Sequence, residues 1–221
     1  MADPIHPGGA IIDYYRARFD DHGDIAQGAG WPNAPDRITR FDVILDIAGQ
    51  IAPDVPVSLC DVGCGSGELA RRIADRGLDH IAYRGIDALA APLVEARRKF
   101  PDLAFLQLDA ATASPDQMEA FSCDILVANG VFTVKAGMSH DDMWSLMTGV
   151  LRNLWPFVRR GMIFNVMSKM VDWERDDLFH VSYDALAQFL HGLAGRRIGF
   201  RADYGLYEYM AYATKPVGGD R

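Results

Sequence analysis

Val57-Ser58-Leu59-Cys60-Asp61-Val62-Gly63-Cys64-Gly65-Ser66-Gly67-Glu68-Leu69-Ala70 joins an apolar run ending in an acid to three alternating glycines and the start of a helical pattern. That order predicts a strand, a tight ligand-binding loop and a helix. Glycine is required where the loop turns sharply and a ligand must come closer to the backbone than a Cβ permits. The spacing then bears on which ligand. A dinucleotide fingerprint places a third glycine where the helix packs on the strand and pyrophosphate meets the helix N-terminus. Glu68 stands there instead, so a carboxylate would face the diphosphate. A P-loop is excluded as well, because no Lys-Ser or Lys-Thr follows the glycines to meet a phosphate. The loop suits a ligand without phosphates.

Asp61-Val62-Gly63-Cys64-Gly65-Ser66-Gly67 resembles motif I of the class I S-adenosylmethionine-dependent methyltransferases, in which the glycine loop passes under the methionine part of the cofactor. The resemblance implies a doubly wound, Rossmann-like α/β sheet of seven strands, mostly parallel with an antiparallel last strand, preceded by N-terminal helices. It also implies S-adenosylmethionine as cofactor and S-adenosylhomocysteine as product, with Asp61, Gly63, Cys64, Gly65 and Gly67 around the ligand. Further along, 81–87 reads as a second strand ending in Asp87, about twenty residues past the glycines, where an acid reaches a ribose in such folds. A carboxylate accepts two hydrogen bonds from a vicinal diol, so Asp87 is the candidate for both hydroxyls, with Ala88 and Leu89 beside it. Asp87 also precedes the helical stretch 89–100, and an N-cap role competes with the ribose role. A third strand, 103–109, ends in Asp109, which the resemblance places by the adenine amine with the Ala110 N–H alongside. The fourth, 123–130, ends in Asn129 and Gly130, near where the sulfonium would lie.

Length and composition set outer bounds. A chain of 221 residues is long enough for one α/β domain with its own core. The formal net charge of −8 argues against nucleic-acid binding, which draws on lysine and arginine to release counterions. Cys60, Cys64 and Cys123 are odd in number and lie in or beside predicted strands, which fits neither a disulfide framework nor a metal-ligand spacing. No metal is expected. The N-terminal segment lacks the basic and apolar regions of a signal peptide, and no apolar run approaches a membrane span, so a cytoplasmic location is expected.

Two helical stretches, 10–20 and 36–51, precede the sheet, the second with Phe41, Ile44, Leu45, Ala48 and Ile51 at helical spacing for packing on the sheet. From Val57 strand and helix alternate, which predicts right-handed βαβ units. Ser114-Pro115-Asp116-Gln117 is a capping box, and Ser139 and Ser182 open two further helices. A fifth strand is expected over 160–168, and a hairpin pairs 198–204 with 206–214 across Gly205. The organisation expected is a helical lid or extension over 1–53, a cofactor domain over 54–215 and a disordered tail over 216–221. Within the first segment Tyr14, Tyr15, Phe19, His22, Gly23, Gly30 and Trp31 could close over the cofactor edge, and Tyr14 and Arg40 could meet the cofactor's carboxylate. Packing of an amphipathic helix explains the two tyrosines equally well.

Methyl transfer from a sulfonium needs mainly alignment and exclusion of water, so catalytic residues are weakly specified by sequence. A hydroxyl acceptor requires a general base, whereas a carboxylate or a neutral amine needs less help. The polar candidates near the strand ends are Asn129, Lys135, His140, Asn165, Asp172, His180 and Tyr207. His180 has the most suitable ordinary pKa for a base, and Asp172 is the second candidate. No Asn-Pro-Pro-Tyr follows the fourth strand, where Asn129-Gly130-Val131-Phe132 stands, which makes base or glutamine amino groups poor acceptors. A small-molecule acceptor methylated on oxygen is the preferred reading. A Rossmann NAD(P) oxidoreductase and a noncatalytic cofactor-binding module remain the alternatives, and oligomeric state is not encoded legibly.

Overall fold

The computed structural model describes residues 8–25, 27, 28, 30, 33–53 and 56–216. Trp31 and most of the expected tail lie outside the described residues. Two helices lead, α1 (Gly9–His22) and α2 (Ala34–Ile51). α2 begins where the Asn33 side chain accepts the Asp36 N–H with Pro35 in the first turn, both start signals of a helix. Then come β1 (Val57–Val62), α3 (Glu68–Asp75), β2 (Ile81–Asp87), α4 (Ala90–Lys99), β3 (Ala104–Gln107), α5 (Pro115–Glu119), β4 (Cys123–Ala128), α6 (His140–Leu154) and β5 (Val158–Ser168). The chain ends with β6 (His180–Val181), α7 (Tyr183–Ala194), β7 (Ile198–Arg201) and β8 (Glu208–Thr214). The capping box at Ser114 and the Ser139 and Ser182 caps form as their sequences require.

The main sheet runs β3-β2-β1-β4-β5-β8-β7, with the two-residue β6 added alongside the end of β5. β1 to β5 are mutually parallel, while β8 inserts antiparallel between β5 and β7. The seven-strand expectation therefore holds, with β6 as a small addition that the sequence reading leaves in a loop. The hairpin strands are shorter than 198–204 and 206–214, and residues 202–207 form the turn between them. Strand order reverses between β1 and β4, and the connections after them leave in opposite directions. Such a switch point opens a crevice at the carboxyl ends of the strands.

Alternate side chains of the central strands feed two cores, one on each face, as the period of two dictates. Leu59, Ile125 and Val127 join a layer with α2, α3 and α4, whereas Cys60, Leu126 and Ala128 join a layer with α5, α6 and α7. Phe41, Val43, Ile44, Leu45, Ile47 and Ala48 of α2 are all buried in the first layer. A boundary at residue 53 consequently cuts through a continuous core, to which α1 adds only partly buried contacts such as that of Ile11. No residue of α1 is fully buried. Across the sheet, Arg40 of α2 sets two guanidinium nitrogens 2.8 Å from the two carboxylate oxygens of Glu208 at the start of β8, and both side chains are buried. Among the described residues, no helix is long and apolar enough to cross a membrane.

Candidate active site

A cavity of about 200 Å³ lies over the switch point. Its walls come from the β1–α3 loop, the ends of β2 and β4, the residues after β3, and one side of α1. Asp61, Gly63, Cys64, Gly65, Asp87, Ala88, Leu89, Asp109, Ala110 and Asn129 all line it. The sequence thus brings its strand-end residues together from positions up to 68 apart, because parallel strands present all their carboxyl ends on one edge.

The glycines divide the work. Gly65 has φ +54° and nothing within 4 Å of where a Cβ would sit, so its bare backbone faces open space as a ligand cradle. Gly67, at φ +82°, caps α3, and a Cβ there would press on Phe100 at 3.1 Å. Gly67 is not on the cavity lining, and its smallness accommodates Phe100 and Phe105 beneath the loop. Gly63 does line it, with Val131 close by.

Each acid is partly occupied by protein. Asp87 accepts the Gly65 N–H and the Leu89 N–H, both at 2.8 Å, one on each carboxylate oxygen. It stitches the glycine loop to the turn before α4, and an ionised carboxylate retains lone pairs for further donors. The N-cap of α4 is Leu89, so Asp87 is not its N-cap. Asp109 holds the next turn by accepting the Ala111 N–H at 2.9 Å and the Thr112 hydroxyl at 3.1 Å. Asp61 is buried and accepts the Tyr83 hydroxyl at 2.8 Å. Burial pushes its carboxyl up to about 7, and burial likewise raises Asp87. The side-chain oxygen of Asn129 is buried with no hydrogen-bond partner. A buried acceptor left open on a cavity wall costs free energy until a donor fills it.

Glu68 also lines the cavity, held by Lys99 at 2.7 Å and by Arg37 at 3.2 Å. Lys99 in turn lies 2.7 Å from Asp24, so this charge cluster ties the segment after α1 to α3 and α4. Arg37 Nε is buried without a partner on the same wall.

Four expected residues are placed otherwise. Tyr14 and Arg40 face a second cavity of about 500 Å³, beyond the end of β5. Their neighbours take the first: Tyr15 donates its hydroxyl to the Gly130 carbonyl at 2.9 Å, and Arg37 lies one turn before Arg40. Burial raises the Tyr15 hydroxyl to about 12, which keeps it a neutral donor. Arg40 is committed to Glu208 instead. His180 is buried, its Nδ1 lying 2.6 Å from the Ser168 carbonyl and its Nε2 accepting the Arg175 N–H at 3.2 Å. Both ring nitrogens are thus engaged by backbone groups, while the residue itself stands on the lining of the second cavity. Asp172 is exposed at the rim of the second cavity, away from the glycines. Of the remaining polar candidates, His140 contacts the His180 carbonyl, and Asn165 is buried between the Gly130 N–H and Glu208. Tyr207 lines the second cavity. Tyr15 was named for the lid but not for this contact, and Arg37 was missed, because the helical period alone does not say which of two adjacent positions or turns faces a cavity.

The two cavities share one wall. Gly130 lines the first, Thr133 lines the second, and the Thr133 hydroxyl donates to the Gly130 carbonyl at 3.1 Å.

The family model described as a methyltransferase domain matches residues 60–159. The chain is 30% identical over 162 residues to Rv1506c of Mycobacterium tuberculosis, described as a methyltransferase, with 72% of this chain and 94% of that protein covered. It is 33% identical over 86 residues to a trans-aconitate 2-methyltransferase of Methylobacterium nodulans, covering 39% of this chain and 31% of that protein. Among solved structures, the magnesium protoporphyrin IX methyltransferase of Synechocystis with bound SAM has a TM-score of 0.62 at 14% identity, with 98% of this chain and 100% of that one covered. The plantazolicin methyltransferase BpumL with SAH has a TM-score of 0.62 at 12% identity, with 95% and 94% covered.

Proposed function

Because the chain belongs to the class I S-adenosylmethionine-dependent methyltransferases, we propose that its glycine cavity holds S-adenosylmethionine and its second cavity a small-molecule acceptor methylated on oxygen. The observation that carries this reading is the glycine cavity, where the open cradle at Gly65, the Asp87 carboxylate and the unpaired Asn129 oxygen converge. These groups match a ligand with an amino-acid end, a ribose diol and an amino-bearing base. Bound there, the cofactor supplies an already activated methyl group on a sulfonium.

The residues then have separable tasks. Asp87 accepts from the ribose hydroxyls with the lone pairs that the loop leaves open. Asp61 and Asn129 offer acceptors for the ligand's donors, and Arg37 Nε offers a donor for its carboxylate. Asp109 and the Ala110 N–H flank the adenine. Tyr15 closes α1 onto Gly130, excluding water from the region between the cavities, where the acceptor would approach.

An oxygen acceptor that arrives already ionised needs no base, which suits a second cavity whose one imidazole, His180, already has both ring nitrogens in hydrogen bonds to backbone groups. The relatives named for trans-aconitate, a compound whose heteroatoms are all oxygen, support the same choice. The test has two arms. S-adenosylhomocysteine should raise the melting temperature while NAD does not. With labelled cofactor and a panel of small organic acids, the transferred methyl should be released as methanol by mild alkali, as an ester requires. A larger shift with NAD would overturn the cofactor assignment, and an alkali-stable label would overturn a carboxylate as the ionised oxygen acceptor.

A further inference from the structure

The second cavity carries its own chemical signature. At about 500 Å³ it lies within the size range of sites that bury a small organic ligand. Two large aromatic side chains stand on its lining yet remain open to solvent, Trp173 at 73% exposure and Tyr207 at 71%. They come from different loops, one between β5 and β6 and one between β7 and β8. The Tyr207 backbone is held directly, its carbonyl accepting the Ser168 N–H at 3.1 Å, and the Trp173 loop carries the surface ion pairs Lys169–Glu174 and Arg175–Asp177. Aromatic rings left in water at the mouth of a cavity are surfaces that a flat ligand face can cover.

The cavity lining carries four carboxylates, Asp36, Asp172, Asp177 and Glu208, beside its arginines, so an anion can be received only at one local cationic spot. Three arginines line it, and two are committed to carboxylates, Arg40 to Glu208 and Arg175 to Asp177. Arg18 differs. Its guanidinium donates to two neutral acceptors, the Gln27 carbonyl at 3.2 Å and the Tyr14 hydroxyl at 3.3 Å, and lies 5.5 Å from the centre of the Tyr14 ring. Among the described residues no carboxylate pairs with it, so its charge is available to a ligand anion.

We propose that the second cavity recognises a flat, conjugated organic acid, whose planar face is covered by Trp173 and Tyr207 and whose anionic group pairs with Arg18. This rests on the reading of that cavity as the acceptor site, and it narrows the acceptor to a class. Because Arg18 belongs to α1, the acceptor itself would hold that helix against the sheet. The aromatic rim selects for planarity and the guanidinium for charge, so removing either from ligand or protein has a distinct expected effect.

The experiment uses the full chain saturated with S-adenosylhomocysteine and three calorimetric probes at neutral pH: 2-naphthoate, cyclohexanecarboxylate and 2-naphthalenemethanol. The naphthoate should bind one to one, about tenfold or more tighter than either the saturated acid or the neutral alcohol. Arg18→Gln should abolish the preference for naphthoate over the alcohol. Trp173→Ala should weaken both aromatic probes by about fivefold or more and leave cyclohexanecarboxylate little changed. Saturable naphthoate binding that neither substitution alters, or no naphthoate binding by a protein that does bind S-adenosylhomocysteine, overturns the proposal. If S-adenosylhomocysteine itself fails to bind, the methyltransferase assignment of the glycine cavity falls, and this proposal with it.

Discussion

At the residue scale, Asp87 and Asp61 show how one side-chain type takes two roles by environment. Asp87 accepts backbone N–H bonds from both sides of the cavity floor and retains acceptor capacity toward the ligand. Asp87→Ala should therefore weaken S-adenosylhomocysteine binding by about 1–3 kcal/mol, measured by calorimetry, with Asp87→Asn between the two. Unchanged affinity would leave Asp87 as a loop staple alone. Asp61 is buried beside Tyr83 and titrates near 7 instead of 3.8. Between about pH 4 and 7 the folded protein keeps a proton that the unfolded chain has released, so this residue makes stability fall as pH rises through that window. The contribution reaches at most about 4 kcal/mol. Asp61→Asn retains an acceptor for the Tyr83 hydroxyl but cannot ionise. Denaturation at about pH 5 and about pH 8 should show a larger loss of stability with rising pH in the parent protein than in the variant.

At the element scale, α1 is the part of the described structure with the fewest means of staying in place. It contributes no fully buried residue, and it is fastened by the Tyr15–Gly130 hydrogen bond and, just beyond its end, by Asp24 on Lys99. Segments with few buried contacts open at low free-energy cost. Hydrogen exchange across 14–25 should thus be fast in the free protein and slow when S-adenosylhomocysteine fills the cavity beneath. Exchange already slow and indifferent to ligand would make α1 a permanent part of the wall. α2 contrasts with it, since six of its apolar side chains are sunk in the core that carries β1 and β4. Proximity in sequence did not separate these two helices; burial did.

At the scale of the whole molecule, the Arg40–Glu208 pair connects α2 to the last strand over 168 residues of chain, and Asn165 extends it to the Gly130 N–H at the cavity wall. A buried carboxylate deprived of its cation pays its full desolvation penalty. Arg40→Met should destabilise the protein by about 3–5 kcal/mol in chemical denaturation, while Arg40→Met combined with Glu208→Gln should recover a large part of that loss. Equal losses in the single and double variants would mean that packing of the arginine stem, rather than charge, holds the junction.

Much of this was legible in the chain itself. The glycine spacing, the acids at strand ends and the capping signals specified the sheet, its helices and much of the wall of the glycine cavity, because loop conformation, strand alternation and helix caps depend on residues close in sequence. What lay beyond reach was decided by partners far away in the chain. Whether Tyr14 or Tyr15, Arg37 or Arg40, faces the glycines depends on how α1 and α2 rotate against the sheet. Which groups engage the two ring nitrogens of His180 depends on a carbonyl and an amide that only folding brings to its ring. Local chemistry therefore determined what kind of site this protein builds, and tertiary packing determined which side chains are left free to use it.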